Sequence, residues 1–228
     1  MSIFDNYNKV RDEIAETAAS VGRDPEEIRI IAVSKNFDEI VVQRAIDAGI
    51  TVFGENKVQE AKRKIPGLRG AFTFHMVGHL QSNKARDAVK LFDMIHSIDK
   101  IDTAQRVDLE AERIGKTQKV LIQINASGEE SKSGVAPGSA AELAGRMREM
   151  RHLELYGLMT MAPFTDDQDL LRRTFRVTKQ LLDEINGSLG LDLHELSMGM
   201  SADYRIAVEE GATLVRIGTA IFGQRNYE

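Results

Sequence analysis

Apolar residues fall into eight short runs along this chain, rich in β-branched side chains and separated by longer segments of helical spacing. The runs are IRIIAVS (28–34), TVFG (51–54), FTFHMVG (72–78), DMIHSI (93–98), KVLIQIN (119–125), LELYGLMTM (153–161), LHELSMG (193–199) and TLVRIG (213–218). Short runs of this composition predict strands. Between them, EIVVQRAIDAG, KVQEAKRKI, KIDTAQRVDLEAERIG, SAAELAGRMREM, DLLRRTFRVTKQLLDEING and ADYRIAVEEG carry apolar residues at helical intervals, and several stop on glycine. An amphipathic segment at residues 3–21 predicts an extra helix ahead of the first strand. Eight strand–helix units give a repeat of about 28 residues, the arithmetic of an α/β fold of the (β/α)8 TIM-barrel type. Alternation alone does not require the sheet to close, so a doubly wound open sheet is the alternative.

Composition adds exclusions. The chain has 228 residues, 42% hydrophobic and 29% charged, enough for one sizeable core. No Pro/Ser-rich linker or repeat divides it, and a single domain over residues 1–228 is expected. The net charge of −5 comes from interspersed signs, which gives a nucleic-acid role no electrostatic support. The basic cluster Lys62-Arg63-Lys64 reads as a solvated helix face. The absence of cysteine removes disulfides, thiolate metal sites and cysteine nucleophiles. The N-terminal stretch MSIFDNYNKVRDEIAETAAS lacks signal-peptide order, and no window reaches the roughly 18 apolar residues of a membrane span. A soluble, cytoplasmic protein without a membrane role is the expectation.

In a parallel barrel, reactive residues gather at the C-terminal ends of the strands. Lys35 follows the first strand directly, Glu55 and Asn56 the second, and His79 and Gln81 the third. Asn125 closes the fifth, Ser201 follows the seventh and Arg216 ends the eighth. Lys35 is either a surface lysine at a strand end or a desolvated amine able to attack a carbonyl. Main-chain N–H groups at a helix start, exposed by glycine and joined by a hydroxyl, hold phosphate. Gly218-Thr219 and Gly199-Met200-Ser201 both read as such starts, although Gly-Thr also makes ordinary caps. Gly115-Lys116-Thr117 lacks the earlier glycine of a P-loop and reads as a helix stop. His75 and His79 have zincin spacing with Met76 where Glu is required, so they line the barrel or its mouth rather than bind zinc. GEESKSG (128–134) is a polar loop that suits a lid.

Five motifs in order then carry a resemblance: VSK (33–35), FGEN-x-VQE (53–60), FHMVGHLQSNK (74–84), IN-x-S-x-E-x-SK-x-G (124–134) and SMGMS-x-D…VRIGTAIFG (197–223). Together the chain resembles the pyridoxal-phosphate (PLP) homeostasis proteins, small barrels similar to the N-terminal domain of bacterial alanine racemase. The resemblance implies a fold-type III barrel with pyridoxal 5'-phosphate in its mouth, joined to Lys35 as an internal aldimine. It implies that Ser201, Gly218 and Thr219 hold the phosphate, that Arg216 faces the pyridine nitrogen, and that Asn56 and Met200 lie beside the ring. No metal site and no catalytic residue are expected, with PLP-dependent apo-enzymes as candidate partners and a monomer or weak dimer as the state.

A guanidinium opposite the pyridine nitrogen cannot accept its proton, so the ring stays neutral and works poorly as an electron sink. That suits carriage or racemisation. Racemisation needs a second base, which in alanine racemases is a tyrosine from another domain. Here Tyr7, Tyr156, Tyr204 and Tyr227 are the tyrosines, and Tyr156 and Tyr204 sit where structural roles are expected. A PLP carrier without robust catalysis is therefore expected, with a PLP-dependent amino-acid racemase, its base supplied by another subunit or by His79, as the alternative.

Overall fold

The apolar runs form strands β1 (Arg29–Val33), β2 (Val52–Glu55), β3 (Thr73–Met76), β4 (Met94–Ile98), β5 (Gln118–Ile124), β6 (Leu153–Thr160), β7 (Glu195–Met200) and β8 (Leu214–Ile217). The computed structural model, which describes residues 2–129 and 133–223, closes them into one parallel barrel in chain order. Closure joins β1 to β8, with Ile31 opposite Arg216 and Ala32 opposite Ile217. The open-sheet alternative is thereby excluded.

Helices α1 (Ile3–Ser20), α2 (Glu39–Asp47), α3 (Val58–Lys64), α4 (Ala85–Leu91), α5 (Ile101–Arg113), α6 (Pro137–Met147), α7 (Gln168–Leu189), α8 (Tyr204–Glu209) and α9 (Thr219–Phe222) surround it. Local chemistry sets their ends. Ser2 and Asp5 form a reciprocal capping box at the start of α1, whose stripe Val10, Ile14 and Ala18 is buried. Gly190 closes α7 in the left-handed region at φ 61°, where a side chain would be strained. Gly115 does the same after α5 at φ 65°, so Gly115-Lys116-Thr117 is a helix stop. Lys116 Nζ meanwhile donates to the carbonyls of Val89 and Phe92 at the end of α4, at 2.8 and 2.6 Å.

Helix α4 has no counterpart among the predicted segments. It makes only two turns, and its buried residues are the small Ala85, Ala88 and Val89, too weak an apolar stripe to stand out.

Two apolar cores result. One lies between strands and helices; the other fills the barrel with Ile31, Val33, Val77, Met94, Leu121, Met159 and Leu214. Gly54 makes room in this inner layer, since a methyl there would lie 2.9 Å from Ile31 Cγ2 and 3.3 Å from Val33 and Val77. Among the described residues, no helix is long and apolar enough to cross a membrane.

Candidate functional site

Lys35 sits in a tight turn immediately beyond β1. Ser34 N donates to Gly54 O at 3.0 Å, and Phe37 N folds back to Ser34 O at 3.1 Å. Asn36 occupies the left-handed region at φ 64°, which asparagine tolerates better than most residues. Lys35 is partly buried and makes no hydrogen bond or ion pair with another described residue. It is therefore neither a fully solvated lysine nor a fully desolvated one.

Arg216 is buried inside the barrel, only 5% exposed. Its Nη1 donates to Ser197 O and Ser197 Oγ, each at 2.7 Å, and its Nη2 to Thr160 O at 2.8 Å. Among the described residues no carboxylate forms an ion pair with it. Burial pushes its pKa down to about 10, against the weaker opposing pull of Asp203. A buried charge without a counter-ion is expensive.

A polar chain continues from it. Ser197 Oγ meets His96 Nδ1 at 2.8 Å, and His96 Nε2 meets His75 Nδ1 at 2.9 Å. Burial holds His96 well below its ordinary range and His75 at about 3, so both rings are neutral. One proton assignment then satisfies every bond. Ser197, accepting from Arg216, donates to His96 Nδ1, and His96 Nε2–H donates to His75 Nδ1. His75 is thus an interior residue, spent on another imidazole.

The phosphate candidates lie beside this strand. Gly218 is the cap residue of α9, with no side-chain cap bond, and Thr219 is exposed at its first position. A Cβ at Gly218 would meet Val33 O at 3.4 Å, which places the glycine against the end of β1, two residues before Lys35. Ser201 does not open a helix as expected. Met200 N donates to Asp203 Oδ1 at 2.6 Å and Asp203 N to Met200 O at 3.0 Å, making residues 200–203 a turn, and α8 starts only at Tyr204. Within that turn, Ser201 Oγ accepts from Ala220 N at 3.4 Å, so the hydroxyl reaches the first turn of α9. Met200 is 37% exposed at the same rim.

Asn56 follows β2, and the third strand's loop presses on its backbone. A Cβ at Gly78 would lie 2.2 Å from Asn56 O, so only glycine permits the contact. His79 is half-exposed, its Nδ1 3.7 Å from Asp99 Oδ2; the Asp99 carboxylate is buried and its Oδ1 has no hydrogen-bond partner. Asn125 bonds its own loop, donating to Glu129 O at 2.8 Å and accepting from Gly128 N at 3.1 Å.

Two residues need a different account. Glu55, placed by sequence at the mouth, is fully buried and turned toward α3. Lys64, read as part of a solvated face, is 4% exposed and ion-paired with it. Burial pushes the Glu55 carboxyl up, while Lys64 and Ser34 bonds pull it down. The lid reading of 128–134 falls partly on residues outside those described, as does Tyr227. Tyr204 donates to Glu13 of α1, and Tyr156 packs against His194 and Lys119.

The family of the alanine racemase N-terminal domain matches residues 6–226. A protein of Escherichia coli named pyridoxal phosphate homeostasis protein is 41% identical over 232 residues, covering 99% of this chain and 97% of its own. The solved structure of PipY from Synechococcus elongatus with PLP bound is 37% identical, with a TM-score of 0.82 over 92% of this chain and 100% of that one. Alanine racemase of Clostridium difficile, at 15% identity, shares the fold over 98% of this chain and 58% of its own, with a TM-score of 0.77. By these matches the chain belongs to the alanine racemase N-terminal domain family and, within it, to the pyridoxal phosphate homeostasis proteins.

Proposed function

We propose that this protein binds pyridoxal 5'-phosphate in the barrel mouth and acts in the cytoplasm as a carrier and buffer of it. The carrying observation is Arg216, a buried guanidinium without a counter-ion among the described residues, on a strand paired with β1, which leads into Lys35, and with β7, which leads into Ser201. Such a site fits a ligand that brings its own acceptor, a carbonyl and an anionic group. PLP has all three.

The group supplies a reactive aldehyde on an electron-withdrawing ring when bound. Lys35 would hold it through its side-chain amine, the group type that bonds a carbonyl carbon. Ser201 and Thr219 hydroxyls, with the Gly218 and Thr219 backbone, would hold the phosphate. Arg216 would donate to the ring nitrogen, its guanidinium oriented by Ser197 and, behind it, His96. A guanidinium cannot accept a proton from that nitrogen, so the site would disfavour carbanion chemistry. Asn56 and Met200 would lie beside the ring. The chain works as a single domain, a monomer or weak dimer, and PLP-dependent apo-enzymes receive its cargo.

Borohydride reduction of the PLP-loaded protein followed by peptide mass spectrometry tests the site; the adduct is expected on Lys35 and absent from Lys35→Ala. An adduct elsewhere would overturn the assignment. Reactivation of an apo-enzyme in the presence of a trap for free PLP tests the carrier role. His79, with Asp99 behind it at the rim, favours a second reading, amino-acid racemisation. Measurable loss of optical rotation from a single enantiomer would replace the carrier reading with that one.

A further inference from the structure

Both peptide groups flanking Lys35 are gripped by one helix. On the upstream side, Lys64 Nζ of α3 donates to Ser34 O at 2.9 Å. On the downstream side, Asn36 N donates to Glu60 Oε1, from the same helix. Lys64 ties the two grips together, since its Nζ also donates to Glu55 Oε1 and, at 3.3 Å, to Glu60 Oε1. Ser34 Oγ completes the set with a 2.7 Å bond to Glu55 Oε1. Ser34 and Glu55 are fully buried and Lys64 nearly so.

An apolar residue at position 64 would fill this space without desolvating an ammonium, and buried ion pairs are seldom a net source of stability. What an apolar residue cannot do is hold a carbonyl and, through a carboxylate, an amide on either side of one lysine. The turn so held contains Asn36 in the left-handed region, a conformation that relaxes unless its surroundings over-determine it.

We infer that Lys64, Glu60 and Glu55 form a positioning clamp for Lys35, fixing the turn so that its amine enters the mouth in one orientation for capture of PLP. This rests on Lys35 being the residue that holds PLP.

The test compares PLP capture by stopped-flow absorbance in the full-length wild type, Glu60→Ala, Glu60→Gln, the charge-neutral pair Glu55→Gln/Lys64→Met, and Lys62→Met. Lys62 is an exposed neighbour on α3, paired with Asp87 at 3.1 Å, and serves as the control. Displacing a reacting group by about 1 Å can cost on the order of 100-fold in rate, so capture by Glu60→Ala and by the pair is expected to slow about 10- to 100-fold. Glu60→Gln, which keeps an acceptor for Asn36 N–H, restores the wild-type rate, and Lys62→Met leaves it unchanged. Hydrogen exchange of the ligand-free proteins supplies a readout independent of PLP: the Asn36 amide exchanges faster in Glu60→Ala and not in Glu60→Gln. Wild-type capture rates in a folded Glu60→Ala, or failure of Glu60→Gln to rescue, would overturn the clamp, and Glu60→Ala decides the matter if the double substitution does not fold. A wild type that captures PLP without modifying Lys35 instead removes the site assignment, a result distinguishable from failure of the clamp.

Discussion

Replacing Arg216 with glutamine separates this side chain's charge from its hydrogen bonds. The guanidinium donates three bonds, to Ser197 O, Ser197 Oγ and Thr160 O, and has no carboxylate partner among the described residues. Burial pushes its pKa down to about 10, which corresponds to about 3 kcal/mol against the charged form. Glutamine keeps two N–H donors and drops the charge. Losing one hydrogen bond costs about 1 kcal/mol and relieving the buried charge returns about 3, so ligand-free Arg216→Gln should be about 2 kcal/mol more stable than wild type. For a domain of this size that raises Tm by roughly 4–8 °C. The sign in pH follows from the folded pKa lying below the unfolded one. The penalty is present in full below about pH 10 and relaxes only as pH rises above that. The difference between the two proteins should therefore be the same at pH 6 and pH 8, measured by urea unfolding without ligand. PLP at 100 times its Kd stabilises wild type by about 2.7 kcal/mol, and the variant should lose most of that gain. A ligand-free variant less stable than wild type by 2 kcal/mol would mean that the protein itself compensates the guanidinium. Unchanged PLP affinity would remove Arg216 from the ligand's contacts.

His75 and His96 are neutral when folded and take protons when unfolded, so their contribution is complete above about pH 6.5 and falls away as pH drops toward the folded value of about 3 for His75. Each imidazole removes up to about 1.4 kcal/mol per pH unit, or about 4 kcal/mol for both between pH 6.5 and 5, and His96→Gln should halve the slope; urea midpoints across that range check this, and a flat profile refutes it. Ser201→Ala and Thr219→Ala should each weaken PLP about 10- to 100-fold, the equivalent of one hydrogen bond to a charged group, while leaving pyridoxal affinity unchanged. Equal losses for both ligands in a calorimetric titration would place the phosphate elsewhere. Gly78→Ala drives a methyl into the Asn56 backbone at 2.2 Å and should cost about 1–3 kcal/mol in thermal unfolding, with a matching loss of PLP affinity if Asn56 contacts the ring.

Much of the barrel was legible because its strands are buried on both faces. Runs such as IRIIAVS and KVLIQIN stand out from amphipathic surroundings, and each predicted strand lies within two residues of its observed bounds. Helix α4 escaped because alanines make a faint stripe. Ser201 was placed at a helix start because a Gly-x-Ser pattern carries no sign of the Asp203 side chain that instead closes a turn.

Periodicity along the chain determined the element types and their alternation, and residue chemistry singled out Lys35, Arg216 and Gly218-Thr219. Both are local properties of the sequence. Tertiary structure alone decided closure of the sheet, which brings Arg216 opposite Ile31 and so sets the eighth strand beside the first. It also decided which charges are buried. Lys64 stands in a basic triplet beside two solvent-facing neighbours, and only the seating of α3 over β1 and β2 drives its ammonium inward to Ser34 and Glu55. A helix presents each residue to a different side, and which side meets a partner is set by segments far away in sequence.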